Sequence, residues 1–127
     1  MDERSLRVLE YPAIRELVAR HAASSLGRQE ALAMLPAVEF SEAQRMQEET
    51  SEARLLLDQV QSPMGGVRDV RAQVRACGIG GVVTTSDLLD IASTLAACRR
   101  LKRALLPHDL SAPRLAVYAE KLGTYRD

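Results

Sequence analysis

The spacing of apolar residues constrains this chain most, because it follows the α-helical period over most of its length. Between Ser41 and Val60, apolar or small residues recur at steps of three and four, and most positions between them carry charges. An apolar stripe at this period predicts an amphipathic helix over residues 41–60. Ser41 and Gln44 have the spacing of a capping box, and Pro63 is expected to follow the end of the helix.

A second long helix is predicted from about residue 86 to residue 106. Thr85 is the expected N-cap, and Asp87 and Asp90 place negative charge near the positive end of the helix dipole. Pro107 is expected to end the helix. Its predicted apolar stripe consists of Leu88, Ile91, Ala92, Leu95, Cys98, Leu101 and Leu105.

Shorter helical patterns fill the rest of the chain. Pro12 is expected to open one helix, and Ser24 or Ser25 to cap the next. A helix over residues 67–77 is predicted to end with Gly78 as its C′ residue, and a last one to lie near 113–122. Only residues 81–85 have an extended pattern, which is too short for a sheet. We therefore predict an all-α helical bundle that forms one domain over residues 1–127.

Composition supports one domain with an aliphatic core. The chain has 127 residues and a mass of 13.9 kDa, with 46% apolar and only 3% aromatic residues. Area scaling predicts that about two-thirds of the surface of such a chain is buried on folding. Seventeen basic residues balance seventeen acidic ones. This balance argues against a globally basic nucleic-acid binder, although it leaves a local basic patch open.

Charges occur throughout the sequence, so no stretch has the 18 or more apolar residues of a membrane span. The charged N-terminus does not resemble a signal peptide, and we expect a cytoplasmic protein with no membrane partner. Cys77 and Cys98 are expected to be reduced, buried thiols rather than a disulfide.

The sequence predicts no catalytic, cofactor-binding or metal-binding residue. His21 and His108 lack a second ligand at a suitable spacing. Gly78–Gly81 is not followed by the Lys-Ser or Lys-Thr of a P-loop. Three carboxylates at helical spacing are interpreted as a solvated helix face: Glu48, Glu49 and Glu52.

Two basic groups are the candidate nucleic-acid contacts, since guanidinium and ammonium groups neutralise backbone phosphates. The first group, predicted to share one side of a helix, is Arg68, Arg71 and Arg75. The second group is Arg99, Arg100, Lys102 and Arg103. The alternative is that both are exposed helix flanks, paired in part with neighbouring carboxylates. No aromatic residue is interleaved with them, which argues against base stacking.

Several stretches, in order and spacing, resemble the N-terminus of the second bacterial MutS paralogue family. The resemblance extends over nearly the whole chain and weakens after about Pro107. The segments that carry it are Ser5–Tyr11, Ser24–Gly27, Leu35–Pro36, Glu48–Ala53, Gly65–Val70, Gly80–Gly81, Leu89–Leu95 and Arg99–Lys102.

The resemblance implies a homodimeric ATPase with a MutS-type core and lever, an ABC-type nucleotide domain and a C-terminal Smr nuclease domain. It implies ATP and Mg as cofactors, and branched DNA or stalled ribosomes as partners. The implied activities are suppression of homologous recombination and the splitting of collided ribosomes. No ATPase or nuclease residue can be assigned within residues 1–127, so this region is expected to be an N-terminal fragment of the core without hydrolase activity of its own.

Two other functions remain open from the sequence. The chain could be a stand-alone helical dimerisation or adaptor domain. It could also bind nucleic acid directly through the two basic groups.

Overall fold

A computed structural model describes residues 3–59, 64–108 and 111–123, and within these ranges the chain is all-α with no strand, as predicted. Seven α-helices and one 3-10 turn, Leu106–His108, lie in the described ranges. The helices are α1 (Glu3–Val8), α2 (Tyr11–Arg20), α3 (Ser25–Ala33), α4 (Phe40–Gln59), α5 (Arg71–Gly78), α6 (Thr85–Leu105) and α7 (Pro113–Lys121).

The first three helices are joined by tight turns. Glu10 links α1 to α2 in the left-handed conformation, with φ of 54°, and Pro12 lies in the first turn of α2. Ser24 caps α3 as predicted: its Oγ accepts a hydrogen bond from the backbone N–H of Gly27 at 3.1 Å. Helices α2 and α3 pack against each other, and Ala19 is buried.

Helix α4 begins at Phe40, one residue earlier than the sequence predicts, and Val60 and Pro63 lie outside the described residues. The predicted capping box is wrong, because Ser41 is already inside the helix. Gln44 instead donates a hydrogen bond from Nε2 to Glu48 Oε1, at 3.0 Å.

The interpretation of the three α4 carboxylates as a solvated face is also wrong. All three are partly buried and face α7. Glu52 Oε2 accepts hydrogen bonds from the backbone N–H groups of Arg114 and Leu115, at 3.0 and 3.1 Å. Helix α7 has no side-chain cap of its own, so Glu52 caps it from a different helix.

Two further contacts hold α4 and α7 together. The guanidinium of Arg114 forms an ion pair with Glu48. Tyr118 donates its hydroxyl hydrogen to Glu49 Oε1 at 3.1 Å, and Arg45 donates to the same oxygen at 2.7 Å. The α4–α7 contact therefore depends on charged and polar pairs as well as on Leu56, which is buried.

Helix α5 ends in a Schellman motif, two residues beyond the glycine predicted to end it. Gly78 is still helical, and Gly80 is the left-handed residue, with φ of 75°. The backbone N–H of Gly80 donates to Cys77 O at 3.1 Å, and that of Gly81 donates to Ala76 O at 2.8 Å. These are the two hydrogen bonds that define the motif. Residues 81–84 then lead into α6 without forming a strand.

Helix α6 is capped by Thr84 rather than by Thr85. Thr84 Oγ1 accepts from the backbone N–H of Asp87 at 3.2 Å, and Asp87 Oδ2 accepts from the backbone N–H of Thr84 at 2.8 Å. Gln73 on α5 also donates to Asp87, at 3.1 Å. The hydrogen bonds from Thr84, chiefly, and then from Gln73 hold the pKa of Asp87 below its usual value.

This capping box gives a prediction with a matched control in the adjacent threonine. We expect Thr84→Ala to lower the free energy of unfolding by about 1 kcal/mol, the usual cost of losing a threonine cap. Thr85→Ala removes the same atoms from the first helical residue, where alanine is the better helix former, and is expected to be neutral or slightly stabilising. Urea unfolding of both variants measures the difference. Equal losses in the two variants would contradict the assignment of the cap.

The buried core is smaller than the composition predicts. The described residues with buried side chains are Ala19, Leu56, Ala97, Ala112, Ala116 and Ala119. The accessible surface of the chain is 9686 Å², whereas a compact monomer of this mass has about 6,700 Å². Apolar helix faces that remain exposed contribute to this difference: those of α2 (Ile14, Leu17, Val18), of α5 and the residues after it (Val74, Ile79, Val82), and of the start of α6 (Leu88, Leu89).

Candidate nucleic-acid interface

The seven predicted basic residues lie in two places. Arg68, Arg71 and Arg75 surround the start of α5, and the other four lie in the last two turns of α6. The prediction that the first three share a helix side is wrong, because α5 begins at Arg71. Val67 and Val70, assigned to the same helix by their spacing, also precede it.

Three polar side chains of α6 fix the segment before α5. Arg100 donates to Gly65 O at 2.7 Å, and Ser93 donates to Gly66 O at 3.0 Å. The backbone N–H of Arg68 donates to Thr94 Oγ1 at 3.0 Å. Arg68 is therefore held in place by its backbone, while its side chain remains 66% exposed and lies 4.0 Å from Asp90.

Arg71 does not offer a free charge. Its guanidinium donates to both carboxylate oxygens of Asp69, at 2.8 and 2.7 Å, and also to Gln29 at 3.1 Å. These hydrogen bonds from Arg71, together with its charge, lower the pKa of Asp69 to about 2. Both groups of the pair are therefore ionised at neutral pH, and their charges offset each other.

Arg75 is exposed, and its Nε donates to the backbone carbonyl of Arg71 at 3.2 Å. It forms no ion pair with another described residue. Of the first group, Arg68 and Arg75 thus retain charge for a ligand, on opposite sides of the Arg71–Asp69 pair in the sequence.

The second group also contains both side chains that bind within the chain and side chains that do not. Arg100 and Lys102 make contacts within the chain: Lys102 donates from Nζ to Leu122 O, at 2.8 Å, at the C-terminal end of α7. Cations at the C-terminal end of a helix donate hydrogen bonds to its free carbonyl groups and interact favourably with the negative end of its dipole. The side chains of Arg99 and Arg103 form no hydrogen bond or ion pair with another described residue, and one helical turn separates them.

Sequence reasoning missed two further arginines. Arg20, in the last turn of α2, and Arg28, on α3, line a groove of about 370 Å³ together with Arg68. The residues come from three separate segments, so no spacing in the sequence brings them together. Ser24 and Ser25, at the start of α3, also line this groove.

The described part of the chain contains no group of three or more histidine, cysteine or carboxylate side chains that could hold a metal ion. Both cysteines are free thiols, but Cys77 is exposed and Cys98 only partly buried, which corrects the prediction that both are buried. None of the helices in the described ranges is both long and apolar enough to cross a membrane.

Comparison with known proteins identifies relatives over nearly the whole chain. An endonuclease MutS2 of Symbiobacterium thermophilum is 45% identical over 126 residues, which are 98% of this chain and 16% of that protein. Those of a Geobacillus species and of Bacillus cereus strain Q1 are 40% and 35% identical, over 97% and 100% of this chain and 16% and 17% of their own lengths. No family model matches the sequence.

With these relatives, the described helices form a region of a MutS-type protein. The chain belongs to the MutS2 family and corresponds to the N-terminal region of its members. It spans about a sixth of the length of the relatives that it matches.

Proposed function

We propose that this chain is a structural module of a MutS2-type protein that acts on nucleic acids, and that its exposed apolar helix faces pack against other parts of that protein. The observation that supports this proposal is the accessible surface of 9686 Å², about 3,000 Å² more than a compact monomer of this mass exposes.

The size and distribution of this surface favour a module of a larger protein over a stand-alone adaptor. A protein–protein interface of standard size covers about 800 Å² on each partner, so one dimer contact would leave most of the excess exposed. The exposed apolar residues also lie on three separate elements, at Leu17, Val74 and Leu88 among others. Several neighbouring surfaces are therefore needed to cover them.

Within such a protein, the proposed role is mechanical. The two longest described helices, α4 and α6, both contact α7 or the turn before it, so that the three form one connected unit. Packed helices move as units and transmit a rotation, whereas loosely held segments absorb it. We propose that this unit carries ATP-driven motion between a nucleotide domain and nucleic-acid-binding parts, in a homodimer that acts on branched DNA or stalled ribosomes. In this proposal, the residues that hydrolyse ATP and the residues that cleave nucleic acid lie in other parts of the protein.

The face of α2 provides a test of the structural role. Leu17 is 55% exposed in this chain, and leucine and glutamate have similar helix propensities. If the face is solvated in the complete natural polypeptide, Leu17→Glu changes the free energy of unfolding by less than about 0.5 kcal/mol. If another part of the protein covers the face, the buried carboxylate costs about 1 kcal/mol or more.

We expect the larger loss, measured by urea unfolding of the complete polypeptide. The control is Leu17→Met, which keeps an apolar side chain of similar size at the same position and is expected to remain close to wild type. A Leu17→Glu variant as stable as Leu17→Met would contradict the proposed packing of this face.

Direct contact with nucleic acid is a second candidate function, favoured by the unpaired guanidinium groups of Arg99 and Arg103. Two cations one turn apart can contact neighbouring phosphates without reading the bases. An electrophoretic shift assay with branched DNA at two salt concentrations tests this function. Unchanged binding after Arg99→Ala and Arg103→Ala would exclude these two residues as contacts.

A further inference from the structure

We infer that the groove between the α2–α3 turn and residues 67–69 binds the phosphodiester backbone of a nucleic acid, without regard to base sequence. Its arginines are Arg20, Arg28 and Arg68. This inference rests on the proposed nucleic-acid role for the identity of its ligand, but it concerns a different surface from the C-terminal turns of α6.

The groove has a net positive charge, although two of its three arginines have a carboxylate nearby. The guanidinium of Arg20, in the last turn of α2, forms no hydrogen bond or ion pair with another described residue. Arg28 lies 3.4 Å from Glu16, and Arg68 lies 4.0 Å from Asp90, but these pairs are about half exposed to solvent. Exposed pairs of this kind contribute little, so both guanidinium groups are free to exchange their partner for a phosphate.

The only carboxylate that lines the groove, among the described residues, does not oppose an anion. Asp69 is bound by the guanidinium of Arg71 through two hydrogen bonds, which neutralise its charge. With Asp69 offset by Arg71, the three groove arginines and the two neighbouring carboxylates, Glu16 and Asp90, leave a net charge of about +1 beside an incoming phosphate.

The shape and lining of the groove define the class of ligand. Its volume of about 370 Å³ is ample for a phosphate group and part of a sugar. Small residues between the arginines, Ala22, Ala23, Ser24 and Ser25, leave room for the backbone to approach. Guanidinium groups bind phosphate oxygens through paired hydrogen bonds. No aromatic side chain lines the groove, so stacking of bases is not available to it.

Salt dependence gives a quantitative test. Each phosphate contact contributes about −0.9 to the slope of log K against log salt for duplex DNA. Removing two contacts should therefore reduce the magnitude of the slope by about 2. When the salt is raised from 50 to 200 mM, both proteins bind more weakly. The factor by which the variant loses affinity should be about 12 times smaller than the factor for the wild type.

We would measure binding of the complete natural polypeptide to a labelled 20-base-pair duplex by fluorescence anisotropy at those two salt concentrations. The test variant is Arg20→Ala with Arg28→Ala. The control is Arg4→Ala with Arg54→Ala, which removes the same charge from exposed positions outside the groove. The test variant is expected to bind at least tenfold more weakly at 50 mM salt with the reduced slope, and the control to remain within about twofold of wild type.

A second variant separates charge from structure. Arg20→Lys with Arg28→Lys keeps both charges and is expected to retain the wild-type slope, with a smaller loss of affinity because lysine cannot form the paired hydrogen bonds. Loss of the slope in this lysine variant would indicate a structural effect and overturn the assignment. Displacement of the duplex by millimolar inorganic phosphate at constant ionic strength would also overturn it, since the site would then be one for simple anions.

The outcomes distinguish this inference from the proposed function. If the test variant binds like the wild type while Arg99→Ala with Arg103→Ala binds more weakly, the groove assignment is wrong and the nucleic-acid role of the chain stands. If the wild type itself does not bind the duplex at 50 mM salt, the groove assignment fails. If it also fails to bind a labelled branched DNA under the same conditions, the proposed action on branched DNA fails too.

Discussion

Replacing Glu52 with alanine is expected to lower the free energy of unfolding of this chain by about 2 kcal/mol. The carboxylate accepts from two backbone N–H groups at the start of α7, at 3.0 and 3.1 Å, and no other side chain caps that helix. Its loss leaves both donors without their partner and removes a negative charge from the positive end of the helix dipole.

Two further variants make the Glu52 prediction specific. Glu52→Gln keeps one acceptor oxygen but loses the charge, so we expect about half of the loss. Glu120→Ala removes an exposed carboxylate from α7 itself and is expected to change stability by less than about 0.5 kcal/mol. Urea unfolding is the measurement. A Glu52→Ala variant as stable as Glu120→Ala would mean that α4 does not cap α7.

The three glycines at the C-terminal end of α5, Gly78, Gly80 and Gly81, are expected to respond to alanine with opposite signs. A Cβ atom on Gly81 would lie 2.9 Å from Ala76 O, the acceptor of the hydrogen bond from the Gly81 N–H. We expect Gly81→Ala to cost about 2 kcal/mol, since it breaks this hydrogen bond and displaces backbone. Gly80→Ala places a side chain at φ of 75°, and it is expected to cost about 1 kcal/mol.

Gly78→Ala is the matched control in the same turn. Gly78 is helical, and nothing lies within 4 Å of the position of an added Cβ. Alanine there is expected to stabilise the chain by about 0.5 kcal/mol, because it restricts the unfolded chain without strain in the folded one. Thermal unfolding of the three variants gives the signs directly. A destabilising Gly78→Ala together with a neutral Gly80→Ala would place the left-handed residue at Gly78 after all.

Helices α2 to α7 were predictable from sequence because each carries a periodic apolar stripe, whereas the short helix α1 was not predicted in this way. The ends were not predictable where the sequence offers two equivalent signals. Thr84 and Thr85 are adjacent, and only the observed hydrogen bonds to Asp87 identify the first as the cap. In the same way, Gly78, Gly80 and Gly81 offer three places for a left-handed turn. The sequence period locates such a turn to within about two residues.

The tertiary contacts were not predictable, because they join residues far apart in the chain. Glu52 caps a helix 62 residues away, and the groove arginines come from three segments. The apolar period was misleading in one respect. It identifies the apolar face of a helix, and Leu17 on α2 shows that such a face need not be covered within these 127 residues.

The claim that the exposed faces pack against other parts of the protein is tested most directly by amide hydrogen exchange in helix α2. The exchange rates of residues 11–20 are compared between this chain alone and the complete natural polypeptide, with α7 as the internal reference. We predict that the α2 amides exchange at least about tenfold more slowly in the complete polypeptide, since covering the face opposes local opening of the helix. Equal exchange rates in the two proteins would contradict the account.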